Sequence, residues 1–94
     1  MSQMSRAFSL HVPPDVQFQA LAGDVALRFA TMAGASETGA EAFGAEVESG
    51  VHAVASAGEG VDLAFDSGPA GFEVSIKCGS HARIIRHALP AAPS

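Results

Sequence analysis

The spacing of the apolar residues changes at two glycines, Gly58 and Gly60, and this change limits the folds open to the chain. Before the glycines, as in Phe43–Ala57, apolar residues recur every three to four positions, which predicts helix. After them, residues 61–65 and 72–78 alternate apolar and polar side chains, which predicts strands. Helices and strands with one apolar side each have to cover one another, so two packed layers are expected.

One strand and two helices are predicted before the glycines. Ala7–Val12 alternates apolar and polar residues and is followed by two prolines, which predicts a strand that ends there. Asp15 is the expected N-cap of a helix that ends at Gly34. Thr38 precedes Glu41 by three residues, the spacing of a capping box, and predicts the start of the second helix.

A hairpin and a further strand are predicted after the glycines. Residues 66–71, DSGPAG, are expected to form a hairpin loop longer than two residues. Residues 83–89, RIIRHAL, fit either a helix or a strand; we favour a strand, because a fourth strand covers two helices better. The expected fold class is an α+β two-layer sandwich, with two helices on one face of a three- to four-stranded, mostly antiparallel sheet in the order β-α-α-β-β-(β). A single domain is expected over residues 1–89, with a disordered tail at 90–94.

Charge and composition argue against several classes of function. A net charge of -5 with five Lys and Arg opposes nucleic-acid binding, because clustered basic residues have to neutralise the phosphates. Cys78 is the one cysteine, which predicts no disulfide and a reducing, cytoplasmic location. The four histidines follow no metal-ligand spacing. The sequence shows neither a secretion signal nor a run of ~18 apolar residues, so no membrane segment is expected.

The second helix carries the residues that point to a family. The order strand, helix, helix, hairpin, with a glutamate inside the second helix, resembles the anti-sigma-factor serine kinases of the GHKL, or histidine-kinase-like, ATPase superfamily. The resemblance covers residues 8–79. In that family the helix reads approximately E-A-x-x-N-A-x-x-H, where the Glu acts as base and the Asn holds the magnesium of the bound ATP. Here EVESGVHAV places Glu46 at the family Glu and Gly50 at the family Asn.

The second motif of the family is less complete in this sequence. Its D-x-G-x-G follows the third strand, and its Asp binds the adenine of ATP. Here Lys77 or Cys78 stands at the Asp, and Gly79 resembles one of the glycines. The resemblance therefore implies a degenerate site, with Glu46 as candidate catalytic base, with Glu46, Gly50, Cys78 and Gly79 as candidate nucleotide-binding positions, and with no metal ligand. Glu46 also fits an ordinary helix surface, and Cys78 also fits a core position.

Three functions stay open at this stage. The first is a non-catalytic, protein-binding regulatory module that resembles an anti-sigma factor and needs no cofactor. The second is an ATP-binding serine kinase that uses Glu46, ATP and magnesium, and the third is an unrelated small dimeric α+β interaction protein. The resemblance implies a sigma factor or an anti-sigma antagonist as partner. A homodimer is expected because an open sheet has edges to cover, and its outer face, with Ala7, Ala64 and Ser75, is expected to be small and weakly charged.

Overall fold

The computed structural model describes residues 5–55 and 58–89, which form two helices and four strands. The strands are β1 (Ser5–Val12), β2 (Val61–Gly68), β3 (Gly71–Cys78) and β4 (His81–Ala88), and the helices are α1 (Val16–Ala33) and α2 (Glu37–Val54). Their order, β-α-α-β-β-β, confirms the predicted α+β fold and the preference for a strand near the C-terminus. The tail predicted at 90–94 lies outside the described residues.

The four strands form one antiparallel sheet in the order β1-β2-β3-β4. β2, β3 and β4 follow one another through short turns, and their residues pair one to one. β1 precedes both helices along the chain and pairs with β2 on its other side. Its register shifts between Arg6 and Phe8, which is a β-bulge at the sheet edge. The sheet therefore has two edge strands, β1 and β4.

Both helices pack on one face of the sheet, and the core lies between the two layers. Phe29 of α1 reaches the ring of Phe65 in β2 at 5.1 Å between centroids, and α2 contributes a stripe of fully buried residues. This stripe and the facing strand residues consist of Phe43, Val47, Val51, Leu63, Phe65, Phe72, Val74 and Ile76. Burial of each such side chain stabilises the fold by about 1.5–3 kcal/mol relative to leaving it exposed.

The two helices touch each other through their backbones. A Cβ atom on Gly44 would lie 2.8 Å from the carbonyl oxygen of Gly23, closer than real Cβ atoms approach such an atom. Two glycines at the crossing therefore let the helix axes come closer than larger residues allow. α1 ends at Gly34, which adopts the left-handed conformation typical of a helix C-terminus.

Two local predictions are wrong. Ser36, and not Thr38, is the N-cap of α2, because its Oγ accepts a hydrogen bond from the Gly39 N–H at 3.1 Å. Thr38 and Glu41 lie inside the helix, so no capping box forms. The loop between β2 and β3 is a two-residue turn, residues 69–70, because strand pairing continues to the ends of both strands.

Candidate functional site

The structure places the four candidate residues in two pairs of different burial. Glu46 and Gly50 lie one turn apart on α2, while Cys78 ends β3 and Gly79 begins the turn after it. Glu46 and Gly79 are exposed, whereas Gly50 and Cys78 are buried. Each pair therefore combines one exposed and one buried position.

Glu46 is engaged by a residue of β4. Its Oε2 lies 2.5 Å from Nε2 of His87, a short hydrogen bond between α2 and the edge of the sheet. The His87 ring packs against Phe43 at 5.1 Å and Phe72 at 5.7 Å between centroids. Because the imidazole is also held by these rings, the contact fastens β4 to α2. The Glu46 carboxylate therefore has a structural partner within the fold.

Gly50 lies where the helix comes closest to the sheet. A Cβ atom there would be 2.9 Å from Cδ1 of Ile76 and 3.2 Å from Cδ1 of Ile85. The aliphatic Cδ of Arg83 would be 3.5 Å away. An asparagine at this position would have to displace core side chains, and its amide would point among methyl groups. The position that the resemblance aligns with the family's asparagine is thus one of close packing between helix and sheet.

Cys78 and Gly79 belong to the β3–β4 hairpin, as the last residue of β3 and the first residue of the turn. Cys78 is 2% exposed and belongs to the core cluster, which confirms the interpretation of this thiol as a core residue. Gly79 has φ +60°, and Ser80 completes a two-residue turn without a positive φ. Glycine with positive φ at the first central position is typical of a type II′ turn, which suits the twist of a hairpin. Neither side chain offers the carboxylate that accepts from the adenine amino group in the family.

A shallow depression lies between α2 and β4. It is lined by Ala45, Glu46, Ser49, Arg83 and Ile85. One carboxylate and one guanidinium are thus near each other at an open surface, which can hold a small charged group but cannot enclose a nucleotide. Sequence reasoning missed Arg83 and His87, although the alternation in RIIRHAL puts both on one side of a strand.

Three of the four histidines, His11, His52 and His87, have side-chain partners within the fold. Nδ1 of His11 lies 2.8 Å from Asp62, and Nδ1 of His52 lies 3.1 Å from Oε1 of Gln19. Within residues 5–55 and 58–89 there is no group of three or more His, Cys, Asp or Glu side chains able to hold a metal ion. The arrangement therefore offers no donor set from which metal chemistry can be derived.

The sheet face that points away from the helices, here called the open face, carries three rows of side chains across the strands. The middle row consists of Ser9, Ala64, Ser75 and Ile84. The row on one side of it consists of Arg6, Asp66, Glu73 and Arg86. The row on the other side consists of His11, Asp62, Lys77 and Ala82. The expectation of a weakly charged face is wrong, because ion pairs Arg6–Asp66 at 2.6 Å and Arg86–Glu73 at 3.1 Å border the small middle row. Ala7 lies at the bulge of β1.

Comparisons with protein-family models, with curated proteins and with solved structures found no match. The relationship to the anti-sigma-factor kinases therefore stays a prediction from the residues quoted above. Neither of the two described helices combines the length and apolarity needed to cross a membrane.

Proposed function

We propose that the chain is a non-catalytic regulatory module that binds another protein, built on a fold that resembles the anti-sigma-factor kinases. The observation that carries this proposal is the packing at Gly50. The position that would hold magnesium in a working kinase is occupied by the methyl groups of Ile76 and Ile85. Without a magnesium ligand, the charge of a triphosphate has to be met by Lys, Arg and backbone N–H groups.

Two further observations support the absence of nucleotide chemistry. Glu46, the candidate base, is held at 2.5 Å by His87. Of the two residues that the resemblance aligns with the adenine-binding Asp, Cys78 is buried and Lys77 is a cation. The surface features that suit a function in protein binding are the uncovered face of the sheet and its two edges.

The partner that the resemblance implies is a sigma factor or an anti-sigma antagonist, with the cytoplasm as the location. The buried free thiol of Cys78 fits a reducing compartment. Homodimerisation is the other way to cover the sheet, and sedimentation equilibrium of the purified protein tests it.

One observation favours the alternative, an ATP-binding serine kinase. Arg83 lines the same depression as Glu46, so a phosphate group could meet a guanidinium beside the candidate base. In that case Arg83 would take over part of the charge neutralisation that magnesium supplies in the family.

Calorimetric titration with ATP and magnesium separates the two functions. The proposal expects no saturable heat up to about 1 mM ATP. Micromolar binding that is lost in Glu46→Gln would overturn the proposal in favour of the kinase. Glu41→Gln is the matched control, because Glu41 is an exposed carboxylate on the same helix and lies outside the depression.

A further inference from the structure

The two edges of the sheet differ in how they are protected. β1 carries a bulge between Arg6 and Phe8 and is followed directly by two prolines. Bulges and prolines discourage the addition of another strand. β4 has no bulge and pairs residue for residue with β3 along its whole length, His81–Ala88, and the nearest proline in the sequence, Pro90, stands two positions beyond the strand. β4 is therefore the edge that can accept a new strand.

Alternate residues of β4 direct their backbone groups away from the sheet. Just beyond the strand, the Leu89 N–H donates to the C=O of Ala70 at 2.9 Å, on the β3 side. In an antiparallel ladder this direction alternates, so the even-numbered residues face outward. The outward N–H and C=O groups belong to Ala82, Ile84, Arg86 and Ala88. Ile84 is central among them, and it is 58% exposed.

The charges of the sheet are sorted by strand. Among the charged residues, the edge strands carry arginines only, which are Arg6 in β1 and Arg83 and Arg86 in β4. All acidic residues of the sheet lie in the central strands, and they are Asp62, Asp66 and Glu73. Pairing of two copies through any combination of these edges would place one basic strand against another. That arrangement disfavours a second copy and favours a strand of opposite charge.

We propose that β4 is a docking strand that adds an extended acidic segment of a partner protein to the sheet. This inference rests on the proposed protein-binding function and names the chemistry of the partner. Main-chain hydrogen bonds to the outward groups of β4 supply affinity, and alternate side chains supply specificity. An acidic residue of the segment faces Arg83 on the helix side, and an apolar residue covers Ile84 on the open face.

Arg83 is the charge best placed for this recognition. Arg86 is already paired with Glu73 at 3.1 Å, and His87 with Glu46 at 2.5 Å. No ion pair joins Arg83 to a carboxylate in the described part of the chain, and the side chain is exposed. An incoming carboxylate therefore adds a partner at Arg83 without breaking an existing pair.

The test measures binding of a fluorescent eight-residue peptide of alternating Glu and Val by anisotropy at about 0.15 M salt, where a Debye length of about 8 Å limits the repulsion from the net charge of -5. A peptide with Lys in place of Glu is the charge control. We expect the Glu peptide to bind at least about tenfold more tightly than the Lys peptide, and its affinity to fall with added salt.

Two variants test the backbone and the charge separately. Ile84→Pro removes an outward N–H but no bond to β3, and Ile84→Ala retains that N–H as its control. Arg83→Glu reverses the edge charge, and Lys77→Glu makes the same reversal on central strand β3. We expect Ile84→Pro and Arg83→Glu each to weaken binding about tenfold or more, and both controls to retain most of it. If circular dichroism shows that Ile84→Pro does not fold, the peptide affinity of Arg83→Glu alone tests the docking strand.

Equal binding of the Glu and Lys peptides, or unchanged binding by Arg83→Glu, would overturn the docking strand. A dimer in sedimentation equilibrium that is dispersed by Ile84→Pro would overturn it as well, in favour of a second copy. These failures are separate from that of the proposed function. Micromolar ATP binding dependent on Glu46 refutes the regulatory module, whereas absent peptide binding together with absent ATP binding refutes only the docking strand.

Discussion

Gly50→Asn, which introduces the asparagine found at this place in the family that the sequence resembles, should damage the fold and create no nucleotide site. The new Cβ would lie 2.9 Å from Ile76 Cδ1 and 3.2 Å from Ile85 Cδ1, on both of the facing strands. Overpacking a core position costs about 1–3 kcal/mol, and burying an unpaired amide adds about 1–3 kcal/mol. Replacing glycine by asparagine inside a helix returns only about 0.3 kcal/mol, because both are poor helix formers. The free energy of unfolding should therefore fall by about 2–6 kcal/mol.

Urea unfolding followed by far-ultraviolet circular dichroism measures this loss, since the chain has no Trp or Tyr for fluorescence. With a denaturant slope of about 1–3 kcal/mol per molar, the midpoint should fall by about 1 M or more. Ser49→Asn, at the exposed neighbouring position of α2, is the control and should leave the midpoint nearly unchanged. A Gly50→Asn protein as stable as the parent, or one that gains ATP binding, would refute the account of a filled site.

Two more substitutions test the local structure by the same unfolding measurement. Ser36→Ala should lower the free energy of unfolding by about 1 kcal/mol, because it removes the acceptor of the Gly39 N–H. Thr38→Ala should change it by less than about 0.5 kcal/mol. A larger loss for Thr38→Ala than for Ser36→Ala would show that Thr38 is the N-cap after all. Gly44→Ala should destabilise the protein, because its Cβ would meet the carbonyl oxygen of Gly23 at 2.8 Å. At a free helix position the same change stabilises by about 1 kcal/mol, so a stabilised variant would contradict the close helix crossing.

The two layers could be predicted from the sequence because the periodicity of apolar residues depends only on neighbours a few residues apart. The helical spacing of α2 and the alternation in β2, β3 and β4 each report one buried side. Local chemistry was less decisive at the ends of elements. Ser36 and Thr38 are both good capping residues, and Glu41 favoured the wrong one because the spacing of a capping box does not say whether the helix has already begun.

The candidate site depended on distances that no sequence pattern contains. Periodicity placed Gly50 at the edge of the apolar stripe, but only the approach of Ile76 and Ile85 shows that a larger residue there would have to displace their side chains. The partnership of Glu46 with His87 joins residues 41 positions apart and follows from the register of β4. The charge of the open face was misjudged because the pairs across strands, such as Arg6 with Asp66, become neighbours only when the sheet forms.

The place of β1 in the sheet has a consequence for the order of folding. β2, β3 and β4 are joined by tight turns, and the two helices form a hairpin of their own, so each of these two units can form across short connections. β1 alone has to reach across about 50 residues of chain to find β2, and this closure costs loop entropy. Its side chains are mostly exposed, so little burial offsets that cost. We expect β1 to join the sheet last and to be the first strand that opens in the native protein.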